Sequence, residues 1–215
     1  MKGLSRRELL VRGLWIGGSV AAGVQLARPR ALSAAAASDS PVVLSAAEWQ
    51  TVEAITARLI PTDHEPGARE AGCVNFIDKA LANEDAALRP VYSVGLPGVD
   101  AVARATGGSA FAELDPSAQD DVLRRLEDGT ASAWPVADVP SQAFFMQIWI
   151  HTLWGFLAEP KYGGNRDYAG WRVLGYPGGR HKLGGYSPEM MAGTARVESV
   201  WGEMLPRGKR PADEA

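Results

Sequence analysis

The chain has 215 residues, which suggests a single domain once any targeting segment is removed and is long enough to bury a core without disulfides or a metal ion. Hydrophobic residues make up 46% and charged residues 22%, as in ordinary globular proteins. The formal net charge is −3; the first 37 residues carry six Lys or Arg and one Glu, so their removal leaves about −8. A mature chain this acidic excludes a nucleic-acid-binding role.

The N-terminus is typical of an export signal. The residues that resemble the twin-arginine (Tat) motif of bacterial signal peptides are Ser5, Arg6, Arg7 and Leu9. A Gly-rich apolar stretch follows, and an alanine run that ends at Ala37 offers small residues to signal peptidase. We therefore predict a Tat-type signal peptide over residues 1–37 and a periplasmic location. The alternatives are an uncleaved membrane anchor, for which the apolar stretch is short, and a chance pair of arginines.

Amphipathic patterns predict helices along the mature chain. Ser45 with Glu48 is a capping box, and the first helix should end at Pro61. Asp115 and Pro116 mark another helix start. The further predicted helices cover residues 68–82, 85–94, 98–106 and 116–129, with a kink or break at residues 95–97. No alternating strand pattern and no internal repeat is evident, so the fold class is all-α.

The stretch from Phe144 to Gly178 is the most distinctive one. Its first half, to Ala158, is nearly all apolar and predicts a central helix that is capped by Ser141 and buried on most sides. The second half begins at Glu159 and is rich in Gly, Asn and aromatic residues without a helical or strand period. It predicts a long loop, and long loops on compact domains usually carry function.

The predicted architecture is an irregular helical bundle with a long Gly/aromatic loop after a buried central helix. The helical domain should span residues 38–205. Ser187 and Pro188 should cap a weak final helix that continues through Trp201, and residues 206–215 have the composition of a disordered tail. Cys73 is the only cysteine, which excludes an internal disulfide. Its apolar neighbours predict a buried thiol, with an intermolecular bridge as the alternative.

The composition of the loop predicts a binding surface, because aromatic and Arg side chains on a backbone held by glycines are typical of protein interfaces. The candidate interface residues are Tyr162, Gly163, Gly164, Asn165, Arg166, Trp171, Tyr176 and Pro177. In the alternative interpretation, Trp171 and Tyr176 only cover the core.

Catalytic and ligand-binding patterns are not evident. His64 lies between Asp63 and Glu65 in a turn, where consecutive side chains point in different directions and do not converge on a metal. His151 could be a base or a haem ligand, but a core histidine that is hydrogen-bonded to a backbone carbonyl or to Asp or Glu is commoner. The haem, dinucleotide and nucleophile-elbow motifs are missing from the sequence. We therefore expect no catalytic residue, no bound metal and no directly bound cofactor.

Several segments together resemble the small (gamma) subunit of the gluconate 2-dehydrogenase type. They are LSAAEWQTVEAITARLIPTDHEPGAREAGCVNFIDKAL (Leu44–Leu81), FAELDP (Phe111–Pro116), FF (Phe144–Phe145) and EPKYGGNRDYAGWRVLGYPG (Glu159–Gly178). The last segment and the PGAREAG and FID runs of the first are specific, whereas the middle helices are generic. The Tat-like signal also fits this family.

The resemblance implies a non-catalytic subunit of a periplasmic FAD-dependent sugar or sugar-acid dehydrogenase. Its large partner would be similar to the glucose–methanol–choline (GMC) flavoproteins and would bind FAD; a multihaem cytochrome c is a possible third subunit. Because the partner typically lacks a signal, the small subunit would carry it through the Tat translocon. The alternatives are an autonomous periplasmic binding or metal-dependent protein, and an assembly chaperone that leaves its client after export.

Overall fold

The computed structural model describes residues 40–178, 187–192, 194–197 and 199. Its α-helices are α1 (Ala46–Leu59), α2 (Cys73–Ala82), α3 (Arg89–Gly107), α4 (Pro116–Glu127), α5 (Ser141–Leu157), α6 (Ala169–Leu174) and α7 (Pro188–Met191). These described residues contain no β-strand, which confirms the all-α fold class. The predicted signal peptide and the predicted tail lie outside the described residues.

Local capping signals define two helix starts as the sequence predicts. At α1, the Ser45 side chain accepts a hydrogen bond from the backbone N–H of Glu48 at 3.3 Å, and the Glu48 carboxylate accepts the N–H of Ser45 at 2.8 Å. At α4, the Asp115 carboxylate accepts two backbone N–H groups of the first turn, at 2.9 and 3.0 Å. Each cap provides partners for N–H groups that have none within the helix.

Two other boundaries differ from the prediction. α2 begins at Cys73 instead of residue 68, because Gly72 adopts a left-handed conformation (φ 69°) that does not continue a helix. Of the kink or break predicted at residues 95–97, the break is wrong, since α3 is continuous and includes Pro97. Pro97 lies on the exposed side of α3, as does Ser93, whose carbonyl loses its helical hydrogen bond. Solvent can hydrate that carbonyl, so the helix tolerates the proline there.

α5 is the central helix and contacts α1, α2, α3, α4 and α6. Gly155 allows α2 to approach closely, because a Cβ at this position would lie 3.1 Å from the Cα of Cys73. The predicted cap at Ser141 is wrong. Ser141 is already the first helical residue, and its hydroxyl donates to the carbonyl of Leu126 at 3.3 Å. This buried contact between α4 and α5 competes successfully with local capping.

The segment from Glu159 to Gly178 is not the structureless loop that the sequence predicts. It contains two 3₁₀ turns, Pro160–Tyr162 and Arg166–Tyr168, followed by α6. Positive φ angles at Asn165, Asp167 and Tyr168 separate these short elements. Because left-handed residues interrupt the helical period every few positions, no pattern is visible in the sequence.

α7 is shorter than the predicted final helix. Ser187 caps it by accepting the backbone N–H of Met190 at 3.3 Å, as predicted, but the described residues 194–197 are not helical. Val200 and Trp201, where the predicted helix ends, lie outside the described residues. None of the helices within the described part of the chain combines the length and apolar character that a membrane span requires.

Candidate functional site

Asn165 connects the segment from Glu159 to Gly178, which we call the aromatic segment, to the C-terminal half of α5. Its backbone N–H donates to the carbonyl of Gly155 at 2.6 Å. Its side-chain amide donates to the carbonyl of Ala158 and accepts from the N–H of Gly170, both at 2.9 Å. Asn165 is 0% exposed and has a φ of 46°, in the left-handed region that Asn tolerates better than most residues. The Asn165 side chain therefore joins the end of α5 to the start of α6.

Two glycines allow this turn to lie directly on α5. A Cβ at Gly164 would overlap the carbonyl oxygen of Gly155, and a Cβ at Gly170 would overlap that of Phe156. Only glycine permits so close an approach between two backbones. These glycines therefore serve internal packing.

Trp171 covers the C-terminal end of α5. Its indole N–H donates to the carbonyl of Leu157 at 2.7 Å, and its side chain is buried. Tyr168 stacks on its ring with centroids 5.4 Å apart, and Tyr176 meets it edge-on at 5.1 Å. The three rings form one aromatic cluster that closes the core here.

The candidate interface residues of this segment thus fall into two groups. The buried ones, which hold the segment together, are Gly164, Asn165, Trp171 and Pro177. The half-buried ones, which reach the surface, are Tyr162, Gly163, Arg166 and Tyr176. For the buried group, direct contact with a partner is not available in this fold. For the half-buried group, partner contact stays a prediction.

The outer side of α5 is a second candidate surface, which the sequence analysis missed. None of the 17 residues of α5 is Asp, Glu, Lys or Arg, although the helix is not buried all round. At 100° per residue its exposed and half-exposed apolar side chains fall within one arc of roughly 100°. We call this arc the uncharged face of α5; its members are Ala143, Met146, Ile150, Leu153, Trp154 and Leu157. Of these, Leu153 and Leu157 also pack partly against a small core cluster that includes Phe156 and Ala169. An apolar sequence on every side gives no indication of which side faces solvent, so the sequence suggested only burial.

Trp154 is the most exposed large side chain of this face, at 51%. Its ring packs against the ring of His151 with centroids 5.7 Å apart. The Nδ1 atom of His151 lies 2.8 Å from the hydroxyl of Tyr92, and its Nε2 atom lies 3.4 Å from a carboxylate oxygen of Asp85. A carboxylate only accepts, so this arrangement favours a proton on Nε2, with Nδ1 as the acceptor of the Tyr92 hydroxyl.

His151 is thus a buried core histidine, as expected, but its hydrogen-bond partner is the Tyr92 hydroxyl and not the expected backbone carbonyl or carboxylate. The contact with Asp85 is within ion-pair distance but lacks hydrogen-bond geometry, so Nε2 has no good hydrogen-bond partner in the described residues. Burial, and next the negative charge of Asp85, raise the pKa of the Tyr92 hydroxyl well above its usual range. The Tyr92 hydroxyl therefore stays neutral and can donate a hydrogen bond. His151, held by this bond, packs against the ring of Trp154.

His64 and Cys73, which the sequence analysis also considered, lie at the surface and in the core, respectively. The His64 side chain is exposed, and its Nδ1 atom lies 3.2 Å from the Asp63 carboxylate. Within the described residues, no group of three or more His, Cys, Asp or Glu side chains is arranged to hold a metal ion. Cys73 is a free, buried thiol, as predicted, 3.6 Å from the carbonyl of Thr152. A bridge to another chain would first require exposure of this thiol.

Asp78 fixes the point where the chain enters the fold. Its buried carboxylate accepts the backbone N–H groups of Val42, Val43 and Leu44 at 2.6, 3.0 and 2.8 Å. Three donors satisfy a buried negative charge that would otherwise be costly. The chain that follows the predicted signal peptide is thus anchored to α2 within a few residues of Ala37.

The sequence matches no curated protein and no solved structure. It does match one family model, whose description is gluconate 2-dehydrogenase subunit 3, over residues 46–178. The match covers more than half of the chain and runs from the first residue of α1 to the end of the aromatic segment. The chain therefore belongs to the gluconate 2-dehydrogenase subunit 3 family.

Proposed function

We propose that this chain is the non-catalytic small subunit of a periplasmic FAD-dependent sugar or sugar-acid dehydrogenase, and that it supports folding and Tat export of the flavoprotein subunit. The observation that carries the proposal is the family match, which spans the helical domain from α1 to the aromatic segment. FAD would reside in a GMC-type large subunit, and haem c in a possible third subunit. Association with these partners would also bring the chain to the membrane.

The geometry at the start of the domain supports the export role. A Tat signal delivers a cargo that is already folded, and an ordered start of the mature domain fits that route. The Asp78 carboxylate orders this start, because it holds residues 42–44 on the surface of α2.

Export is tested by replacing both arginines of the motif. In the double variant Arg6→Lys/Arg7→Lys, we expect the FAD-linked dehydrogenase activity of the host to disappear from the periplasm and to accumulate in the cytoplasm. The double variant Arg12→Lys/Arg28→Lys changes the same number of arginines outside the motif and should export normally. Periplasmic activity that survives in the first variant would refute the export role.

Lasting association is tested by purification of the mature chain from the periplasm. Flavin absorption together with a large co-purifying protein on gel filtration is expected for a permanent subunit. A flavoprotein that is exported normally but does not co-elute would identify a transient assembly chaperone. A colourless monomer, with no effect of its deletion on dehydrogenase export, would identify an autonomous protein.

A further inference from the structure

We propose that the uncharged face of α5 is the surface on which the dehydrogenase subunit docks. This inference rests on the proposed function and assigns the contact to a helix face instead of the aromatic segment. The face lies on the central helix of the domain, which packs against five other helices, so a partner bound there would contact a helix that is held on its other sides by the core.

The first argument is composition. A helix at the surface of a soluble protein normally carries charged residues on its outer side. α5 has none among 17 residues, and its outer side consists of alanine, leucine, isoleucine, methionine and tryptophan bordered by glutamines. At 1.5 Å per residue the face is about 21 Å long from Ala143 to Leu157. A continuous apolar strip of this length on a surface marks an interaction site.

The second argument concerns Trp154, which is exposed and yet held in place. It packs against His151, which in turn is fixed by the hydroxyl of Tyr92. An aromatic side chain that is already ordered loses little conformational entropy on binding, and tryptophan is among the residues that dominate interface energies. Trp154 is therefore suited to be the anchor of the contact.

The third argument identifies the occupant. A face without charges favours an apolar partner surface, as found between permanent subunits. Membership of a dehydrogenase-subunit family supplies such a partner. A second copy of this chain is disfavoured because its net charge, −3 with the signal and about −8 without it, opposes self-association.

The aromatic segment is less suited to the role in this fold. Four of its eight candidate interface residues are buried, and its closest contacts are with the backbone of α5. It covers the end of α5, where Leu153 and Leu157 pack against the cluster that contains Ala169, and leaves Trp154 exposed. The two surfaces are therefore separable by mutation.

The test compares matched arginine substitutions in the mature chain. Ala143→Arg adds a charge at an exposed position of the uncharged face, and Ala105→Arg adds the same charge at an exposed position of α3. Trp154→Ala removes the proposed anchor. The affinity of each purified chain for the dehydrogenase subunit is measured by titration, and the free chains are compared by thermal unfolding to verify their folding.

We expect Ala143→Arg and Trp154→Ala each to weaken binding at least about tenfold, and Ala105→Arg to leave it within about twofold. If the wild-type chain binds the dehydrogenase subunit and both face variants retain its affinity, the docking surface is wrong while the proposed function stands. If the wild-type chain binds no such subunit, both fail. If Ala143→Arg instead converts a dimer of this chain to a monomer, the occupant is a second copy and the inference is overturned.

Discussion

The hydroxyl of Tyr92 donates a 2.8 Å hydrogen bond to Nδ1 of His151, and this bond joins α3 to α5 inside the core. Tyr92 is 1% exposed and His151 is 0% exposed, so water cannot replace either partner. The same histidine supports the exposed ring of Trp154. The Tyr92–His151 hydrogen bond thus stabilises the bundle and also orients the histidine that contacts Trp154 on the proposed docking surface.

Removal of the Tyr92 hydroxyl should destabilise the domain. Tyr92→Phe leaves Nδ1 of His151 buried without a donor, which costs about 1–3 kcal/mol in the free energy of unfolding. Urea denaturation of the mature chain measures this cost. Tyr162→Phe is the control, because the Tyr162 hydroxyl makes no hydrogen bond within the described residues; it should change the free energy of unfolding by less than about 0.5 kcal/mol. Equal effects of the two substitutions would contradict the assigned role of the Tyr92–His151 bond.

The buried thiol of Cys73 should make the protein sensitive to alkali. Burial raises the pKa of Cys73 above its ordinary value of 9.0, so the folded thiol stays protonated while the unfolded thiol ionises. The unfolded state then binds fewer protons, and the free energy of unfolding falls as the pH rises past 9.0, by about 1.4 kcal/mol per pH unit. Below that pH the contribution is fully present.

Urea denaturation at pH 8 and pH 10 tests this sign. In Cys73→Ala, the loss of unfolding free energy between the two pH values should be about 1.4 kcal/mol smaller than in the wild-type chain. Tyr92, whose raised pKa acts in the same direction above its ordinary value of 10.0, contributes equally to both proteins. An identical loss in the two proteins would show that the Cys73 thiol is not protected by the fold.

Local signals in the sequence predict the parts of the fold that depend on local chemistry. The caps at Ser45 and Asp115 need only residues within the same helical turn, and both are correct. Ser141 carries the same local signal but forms its hydrogen bond with Leu126, in another helix. Pro97 has a strong local preference against helix interiors, which solvent exposure overrides. Both predictions fail because contacts in the folded chain, and not the local sequence, determine the hydrogen bond of Ser141 and the tolerance of Pro97 within a helix.

The candidate site was harder to predict because its determinants are not local. Gly164 and Gly170 resemble flexible loop residues in the sequence, and only the docked structure reveals the α5 carbonyls that they approach. The side of α5 that faces solvent likewise cannot be predicted from the sequence, because the helix has no charged side. The family resemblance identified the type of subunit but carried no information on which surface is exposed.

Asn165 should be the most sensitive side chain of the aromatic segment. Asn165→Ala removes two side-chain hydrogen bonds and leaves the carbonyl of Ala158 and the N–H of Gly170 without these partners, at a cost of about 2–4 kcal/mol. Asp167→Ala is the matched control, because Asp167 also has a left-handed φ, of 53°, but is exposed. Chemical denaturation should show the larger loss for Asn165→Ala. A larger loss for Asp167→Ala would mean that backbone strain, and not buried hydrogen bonding, dominates this turn.

The close approach to α5 predicts unequal effects at two glycines. A Cβ at Gly170 would overlap the carbonyl oxygen of Phe156, a backbone atom that cannot move without distorting the helix, so Gly170→Ala should cost about 3 kcal/mol or more. Gly175 has a φ of 68° but open space around it, so Gly175→Ala should cost only about 1 kcal/mol. Thermal unfolding of the two variants measures the difference. Equal melting temperatures would exclude tight contact between the segment and α5.

Asp78 should control the order of the residues that precede α1. Asp78→Ala removes the acceptor of three backbone N–H groups, and residues 42–44 are then expected to exchange their amide hydrogens with solvent at rates close to those of an unfolded chain. Because Val42 and Val43 are exposed and their freed amides can be hydrated, whereas Leu44 is buried, the loss in global stability should be modest, about 2 kcal/mol.

Hydrogen exchange with a matched control separates this local effect from global unfolding. Asp115→Ala also removes a carboxylate that accepts backbone N–H groups, but at the start of α4, so it should increase exchange there and leave residues 42–44 protected. Continued protection of residues 42–44 in Asp78→Ala would contradict the anchor. Loss of that protection without loss of the fold would show that this one buried carboxylate orders the residues that directly precede α1.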